Sequence, residues 1–136
     1  MTPIETCIND ILGAAPGSAA VLLFGSAARG QLRPDSDIDV AALFEYTRTP
    51  SVEERLVLQQ RLEEAVQRDV DLVVLNDAPT ILARQALTYG RVIACPNPRV
   101  YHEFVIRLAT EYADFKRIRK PIEDAVIRRR VLRSHD

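Results

Sequence analysis

Three short apolar runs constrain the fold of this 136-residue chain more than any other feature of its sequence. The runs are Ala20–Phe24, Ile38–Phe44 and Val70–Leu75, and glycine or aspartate borders each of them on at least one side. Short apolar runs bounded by turn residues predict buried strands. They are too short to be membrane spans, which need roughly 20 apolar residues. The segments around them have helical spacing. The sequence therefore predicts an α/β fold with a small mixed sheet flanked by helices.

The helices are predicted from apolar periodicity and from capping residues. Ile4–Leu12 has helical spacing, and Ser51 with Glu54 forms a capping box at the start of a helix that continues to Arg68. Because this one helix separates the second and third strands, those strands can pair in parallel. The remaining elements are a helix from Pro79 to Tyr89, a strand at Arg91–Ala94 and helices over 99–118 and 121–133. The buried stripe of the capping-box helix is predicted to be Val52, Leu56, Leu58, Leu62, Ala65 and Val66.

Length and charge predict a single domain over residues 1–136, with a core over 1–96 and basic helices over 97–136. Residues 1–96 carry 8 basic and 13 acidic residues, whereas residues 97–136 carry 10 basic and 6 acidic residues. The basic segment is open to three interpretations: contact with RNA, contact with an acidic protein face, or a solvated helix surface. The N-terminus has no signal-peptide pattern, so we expect a cytoplasmic protein. Cys7 and Cys95 have no metal-binding spacing and are expected to be free thiols.

Three aspartates at the starts of two predicted strands form the candidate chemical centre. Asp37 and Asp39 are two residues apart, so their side chains leave the same face of a strand. Two such carboxylates repel each other unless a cation lies between them or one of them takes a proton. Asp71 begins the next strand, and a neighbouring place in the sheet would bring it beside the pair. Three carboxylates suit a two-metal Mg²⁺ site for phosphoryl transfer.

Gly25 and Ser26 follow the first strand directly, where a glycine allows close backbone approach to a phosphate and a hydroxyl can donate to it. The spacing from Gly25 to Gly30 is that of half a P-loop. Gln31 and Leu32 stand where the P-loop lysine and hydroxyl residue would be, so a P-loop is excluded.

The segments Gly25-Ser26-Ala27-Ala28-Arg29-Gly30 and Ser36-Asp37-Ile38-Asp39 together resemble the motif of the minimal nucleotidyltransferases, a group within the polymerase-beta-like superfamily. The resemblance implies that Asp37, Asp39 and Asp71 bind divalent metal, with Asp71 placed to activate the attacking hydroxyl. It also implies that Gly25 and Ser26 hold the triphosphate of ATP. Arg29 matches the arginine of the motif and either reaches phosphate or ties the turn to the sheet.

The segment Tyr112-Ala113-Asp114-Phe115-Lys116 is similar to a C-terminal signature of antitoxins that pair with HEPN-domain ribonuclease toxins. This likeness implies an adenylyltransferase that moves AMP from ATP to a tyrosine hydroxyl of a cognate HEPN toxin. Two alternatives stay open at this point. One is an antitoxin that neutralises the toxin by binding alone, and the other is a transferase for a small molecule such as an aminoglycoside.

Overall fold

In the part of the chain that the structure describes, four short strands form one sheet and helices pack against it. The computed structural model describes residues 1–25, 28, 30, 33 and 35–111. Within these residues the strands are β1 (Ser18–Phe24), β2 (Ile38–Phe44), β3 (Val70–Val74) and β4 (Arg91–Ala94). The helices are α1 (Pro3–Ile8), continued by a π-helical turn (Asn9–Gly13), then α2 (Val52–Val66), α3 (Thr80–Tyr89) and α4 (Pro98–Glu111), with 3₁₀ turns at Tyr46–Arg48 and Leu75–Asp77.

The strand order is β3-β2-β1-β4, so β3 and β4 are the edges of the sheet. β1 is antiparallel to β2 and to β4, whereas β2 and β3 are parallel. The helix α2 connects the two parallel strands, as a parallel pair requires a crossover. The predicted mixed sheet and the predicted parallel crossover are both confirmed.

Both faces of the sheet are covered, which explains the nearly continuous apolar character of β1 and β2. Alternate side chains such as Ala41 and Leu43 pack against α3 and α4. The intervening side chains, such as Val40 and Ala42, pack against α1, the π-helical turn and α2. Burial on two faces is what allows a sheet of four short strands to be held rigidly.

The ends of the helices follow the local sequence. Thr2 with Glu5 and Ser51 with Glu54 form reciprocal capping boxes at the starts of α1 and α2. These bonds satisfy backbone N–H groups that have no partner within the helix. The predicted start at Ser51 is confirmed, but α2 ends at Val66 and not at Arg68, because Gln67 adopts the left-handed conformation.

The predicted buried stripe of α2 is partly wrong. Leu58 and Leu62 are buried and Val66 is half-buried, but Val52 and Leu56 are 72% and 62% exposed and Ala65 is exposed as well. The helix covers one edge of the sheet, so only a narrow strip of its surface meets the core. The apolar positions therefore predicted the correct side of α2 to be buried, but they predicted too wide a buried stripe.

Several predicted features lie outside the described residues. These are Ser26 and Arg29, the helix beyond Glu111, the Tyr112–Lys116 signature and the helix over 121–133. Cys7 and Cys95 are both half-buried and are not joined in a disulfide, as expected. Among the helices that the structure describes, none is long and apolar enough to span a bilayer.

Leu62→Ala is expected to lower the free energy of unfolding by about 2–5 kcal/mol, because truncation of a fully buried leucine leaves a cavity. The control Leu56→Ala, on the same helix, is expected to change it by less than about 0.5 kcal/mol, because that side chain is exposed. Urea unfolding followed by circular dichroism measures both values. Equal losses in the two variants would contradict the packing of α2 described above.

Candidate active site

The candidate site lies at the end of the sheet where β1 finishes and where β2 and β3 begin. Because β2 and β3 are parallel and in register, Asp39 lies beside Asp71. Neighbouring strands are about 4.8 Å apart, so the two carboxylates extend from adjacent backbone positions. Asp37 immediately precedes β2, and its charge acts on Asp39. The structure thus brings together the three aspartates that the sequence selected.

The three carboxylates differ in their surroundings. Asp39 is half-buried, whereas Asp37 and Asp71 are exposed. Burial raises the pKa of Asp39 above its ordinary value, and the negative charges of Asp71 and Asp37 raise it further. The end of the sheet therefore carries a concentration of negative charge that a divalent cation would neutralise.

Asp39 and Asp71 point to the face of the sheet that carries α3 and α4. Asp39 is two residues before Ala41 and Asp71 is two before Val73, and both of those side chains belong to the core on that face. Among the residues that the structure describes, Asp71 lies on an edge strand, with β2 on one side only. Its side chain is exposed.

Gly25 allows the end of β1 to pass close to Asp39. Phe24 pairs with Asp39 across the β1–β2 ladder, and Gly25 follows with a φ of +67°. A Cβ atom at Gly25 would collide with Oδ2 of Asp39, so the carboxylate would have to move to admit it. The positive φ and this close approach both favour glycine at this position.

The rest of the predicted triphosphate loop is described only at single positions. Ala28 packs against the core on the α1 and α2 side, and Gly30 is exposed with a φ of +68°. A Cβ atom at Gly30 would meet nothing within 4 Å. The two glycines of the motif thus share a left-handed backbone, but only Gly25 is in close contact with a carboxylate.

The aspartates fit a magnesium site by their chemistry and by their place in the sheet. Carboxylate oxygens are hard donors, and Mg²⁺ commonly takes one or two of them together with substrate phosphates. Within the part of the chain that the structure describes, no three His, Cys, Asp or Glu side chains converge on one position that could hold an ion. What the structure does show is that the three aspartates are neighbours at one end of the sheet, because Asp39 pairs with Asp71 and Asp37 comes just before β2.

Sequence reasoning missed a contact beside this cluster. The side chain of Arg68, from the α2–β3 junction, donates a hydrogen bond to the backbone carbonyl of Arg33. Both segments border an open cavity of about 570 Å³ that is lined by Asp35, Ser36 and Asp37 on one side and by the end of α2 with Asp69 on the other. The only indication of this contact in the sequence is the position of Arg68 just before Asp69 and Asp71. A single arginine belongs to no periodic pattern from which its partner could be predicted.

A strand followed by a glycine turn, then three aspartates at the starts of two parallel strands, is the arrangement of a nucleotidyltransferase fold. Residues 7–99 match the family model described as polymerase beta, nucleotidyltransferase. The chain belongs to this nucleotidyltransferase family, as the motif resemblance predicts.

Individual proteins are also similar to this chain in sequence and in structure. It is 31% identical to the protein adenylyltransferase MntA of Shewanella oneidensis over 120 residues, which cover 88% of this chain and 84% of that protein. A crystal structure of a toxin–antitoxin with AMP-PNP matches with a TM-score of 0.71 at 31% identity, covering 90% of this chain and 98% of the matched chain. A structure of a tri-AMPylated Shewanella oneidensis HEPN toxin in complex with an MNT antitoxin matches with a TM-score of 0.67 at 30% identity, covering 91% and 96%.

Gly25→Ala is expected to reduce nucleotidyl transfer far more than Gly30→Ala. Both substitutions place a side chain on a left-handed backbone, at a cost of about 1–2 kcal/mol. Only alanine at position 25 also collides with the carboxylate of Asp39. Steady-state rates measure the loss, and the ¹³C resonance of the Asp39 carboxyl group reports its displacement. Equal rates in the two variants would show that the close approach is unimportant.

Asp39→Asn is expected to stabilise the metal-free protein at neutral pH. The native state holds the Asp39 proton more tightly than the unfolded chain does, so stability falls as pH rises through the range just above the ordinary pKa of 3.8. Asparagine cannot ionise, so the variant does not lose this stability as the pH rises. The Tm of the variant in EDTA should exceed that of the wild type at about pH 7, and the gain should vanish near pH 3. Asp69→Asn, which changes an exposed carboxylate nearby, is the control, and a gain that grew on acidification would contradict the expectation.

Proposed function

We propose that this chain is a Mg²⁺-dependent adenylyltransferase that moves AMP from ATP to a tyrosine hydroxyl of a cognate HEPN-domain toxin, and thereby acts as an antitoxin. The observation that carries the proposal is the register of β2 and β3. It places Asp39 beside Asp71 with Asp37 one residue before the strand, next to Gly25, where an added Cβ atom would press on the Asp39 carboxylate.

The roles of the chain's own residues follow from their positions. The turn after β1 begins with Gly25, so the triphosphate of ATP belongs on the β1 side of the aspartates, with Ser26 and Arg29 of the motif as further candidate contacts. Asp71 lies on the edge strand and is exposed. It is the carboxylate that an acceptor hydroxyl from a second protein can reach. Asp71 would take the hydroxyl proton as the oxygen attacks.

The reaction forms one bond and breaks another. The acceptor oxygen bonds to the α-phosphorus of ATP, the bond from that phosphorus to the bridging oxygen breaks, and pyrophosphate leaves. Asp37, Asp39 and Asp71 are the residues that would hold Mg²⁺. Bound Mg²⁺ would neutralise the charge that develops on the phosphate oxygens and would orient the attacking and leaving oxygens.

The acceptor is inferred from the relatives of this chain and from the exposed position of Asp71 at the edge of the sheet. The chain aligns with nearly the full length of a protein adenylyltransferase and of a chain in a HEPN toxin complex. Asp71 at an open sheet edge suits an acceptor carried on another folded protein, because such a protein brings its own surface to the contact. A small acceptor such as an aminoglycoside usually needs an additional binding domain.

The direct test is transfer of label from α-labelled ATP to the HEPN protein encoded beside this chain. With Mg²⁺ present, label should move to the toxin, and EDTA should abolish the transfer. Asp37→Asn, Asp39→Asn and Asp71→Asn should each lower the rate by at least about a hundredfold, because each removes a ligand charge. Mass spectrometry of the labelled toxin identifies the modified residue.

Asp69→Asn is the matched control, because Asp69 lies two residues before Asp71 and is exposed. Its rate should stay within about threefold of the wild type, as expected for a surface substitution outside the cluster. If Asp39→Asn transfers no label and yet still protects cells from the toxin, neutralisation occurs by binding alone. Label on an amino acid other than tyrosine would correct the proposed acceptor.

A further inference from the structure

Two segments of the chain meet beside Asp37, the first of the three aspartates. The first is the turn closed by the N–H of Ser36, which donates to the carbonyl of Arg33 at 3.0 Å, and Asp37 follows it directly. The hydroxyl of Ser36 accepts in return from the N–H of Arg33 at 3.2 Å. The second is the junction between α2 and β3, where Arg68 donates from its guanidinium to that same Arg33 carbonyl.

Asp37 needs such support because the sheet does not hold it. β2 begins at Ile38, whose N–H donates to the carbonyl of Asp69 at 3.0 Å. Asp37 therefore lies just outside the ladder, close enough to Asp39 for the two negative charges to repel each other. The bonds to the Arg33 carbonyl keep the segment before Asp37 against the body of the protein.

The backbone on both sides of Arg68 is itself fixed. The N–H of Gln67 donates to the carbonyl of Glu63, and its side-chain amide donates to the carbonyl of Glu64 at 2.6 Å. On the other side the N–H of Val70 donates to a carboxylate oxygen of Glu63 at 3.0 Å. Arg68 is half-buried between these anchors. Because the backbone of Arg68 is held in place, its guanidinium can restrain the turn through the hydrogen bond to the Arg33 carbonyl.

We propose that Arg68 is a positioning residue for the metal-binding carboxylates: it holds the Arg33 carbonyl, and thereby fixes the turn that presents Asp37 to Asp39 and Asp71. The inference rests on the proposed function for its consequence, which is the affinity of the cluster for a divalent cation. It rests on the hydrogen bonds alone for its structural part. The proposal gives Arg68 no direct contact with the cation or with the substrate.

The consequence is tested with Mn²⁺ as a paramagnetic probe, titrated into the full-length chain and followed by electron paramagnetic resonance. Arg68→Met keeps the aliphatic stem but removes the donor, and it should weaken Mn²⁺ binding about tenfold or more, as loss of a group that orients metal ligands does. Arg68→Lys keeps one donor and should recover part of the affinity. Arg61→Met, which changes an exposed arginine on α2, should bind like the wild type.

The structural part is tested in the absence of metal by hydrogen exchange measured by NMR. Exchange of the Ser36 and Ile38 amides should be about tenfold faster in Arg68→Met than in Arg61→Met, while the Tm of the two variants stays similar. Weakened Mn²⁺ binding together with faster exchange at these amides supports the proposal. Unchanged exchange overturns it, and so does a fall in Tm with unchanged Mn²⁺ affinity, which would indicate a general stabilising role.

Mn²⁺ binding and AMP transfer by the wild-type chain distinguish a failure of this proposal from a failure of the proposed function. If the wild-type chain binds no Mn²⁺, the metal site itself is wrong, and the exchange rates still decide whether Arg68 holds the turn. If the wild type binds Mn²⁺ and transfers AMP while Arg68→Met matches it in affinity and in exchange, the proposed function stands and the role of Arg68 is wrong.

Discussion

The register between β2 and β3 is the constraint on which the site depends. A shift of one residue would turn Asp71 to the opposite face of the sheet from Asp39, because side chains alternate along a strand. Hydrogen bonds fix the register at both ends of the pair. Ile38 donates to the carbonyl of Asp69 at the site end. At the far end the side-chain amide of Asn76 bonds both the N–H and the carbonyl of Phe44, at 2.9 and 2.7 Å.

The aspartate cluster opposes folding, and the core allows it. Burial and neighbouring carboxylates raise the pKa of Asp39, which means that its charged form is disfavoured where it lies. Strands packed on both faces supply the apolar burial that keeps this unfavourable arrangement in place. A carboxylate held where its charged form is disfavoured marks a candidate functional site, since that charge does not add to stability.

The sequence predicted the strands, the parallel crossover and the three aspartates because each leaves a local signal. Apolar runs, a capping box at Ser51 and paired carboxylates are all readable over a few residues. The buried face of α2 was predicted less well. Periodicity shows which residues share a face of a helix, but Val52 and Leu56 are exposed because α2 covers only an edge of the sheet. The width of the surface opposite a helix is not encoded in the helix itself.

By itself the sequence determined the candidate residues for the chemistry: a glycine after one strand and carboxylates at the starts of two others, in a pattern that resembles the motif of the nucleotidyltransferase family to which the chain belongs. Only the tertiary structure decided their environment. It made Asp39 half-buried and left Asp71 on an open edge. It also brought Arg68 across to the Arg33 carbonyl. The physical reason is that identity and spacing are local properties of the chain, whereas burial, pKa and contacts between distant residues arise only when separate segments pack together.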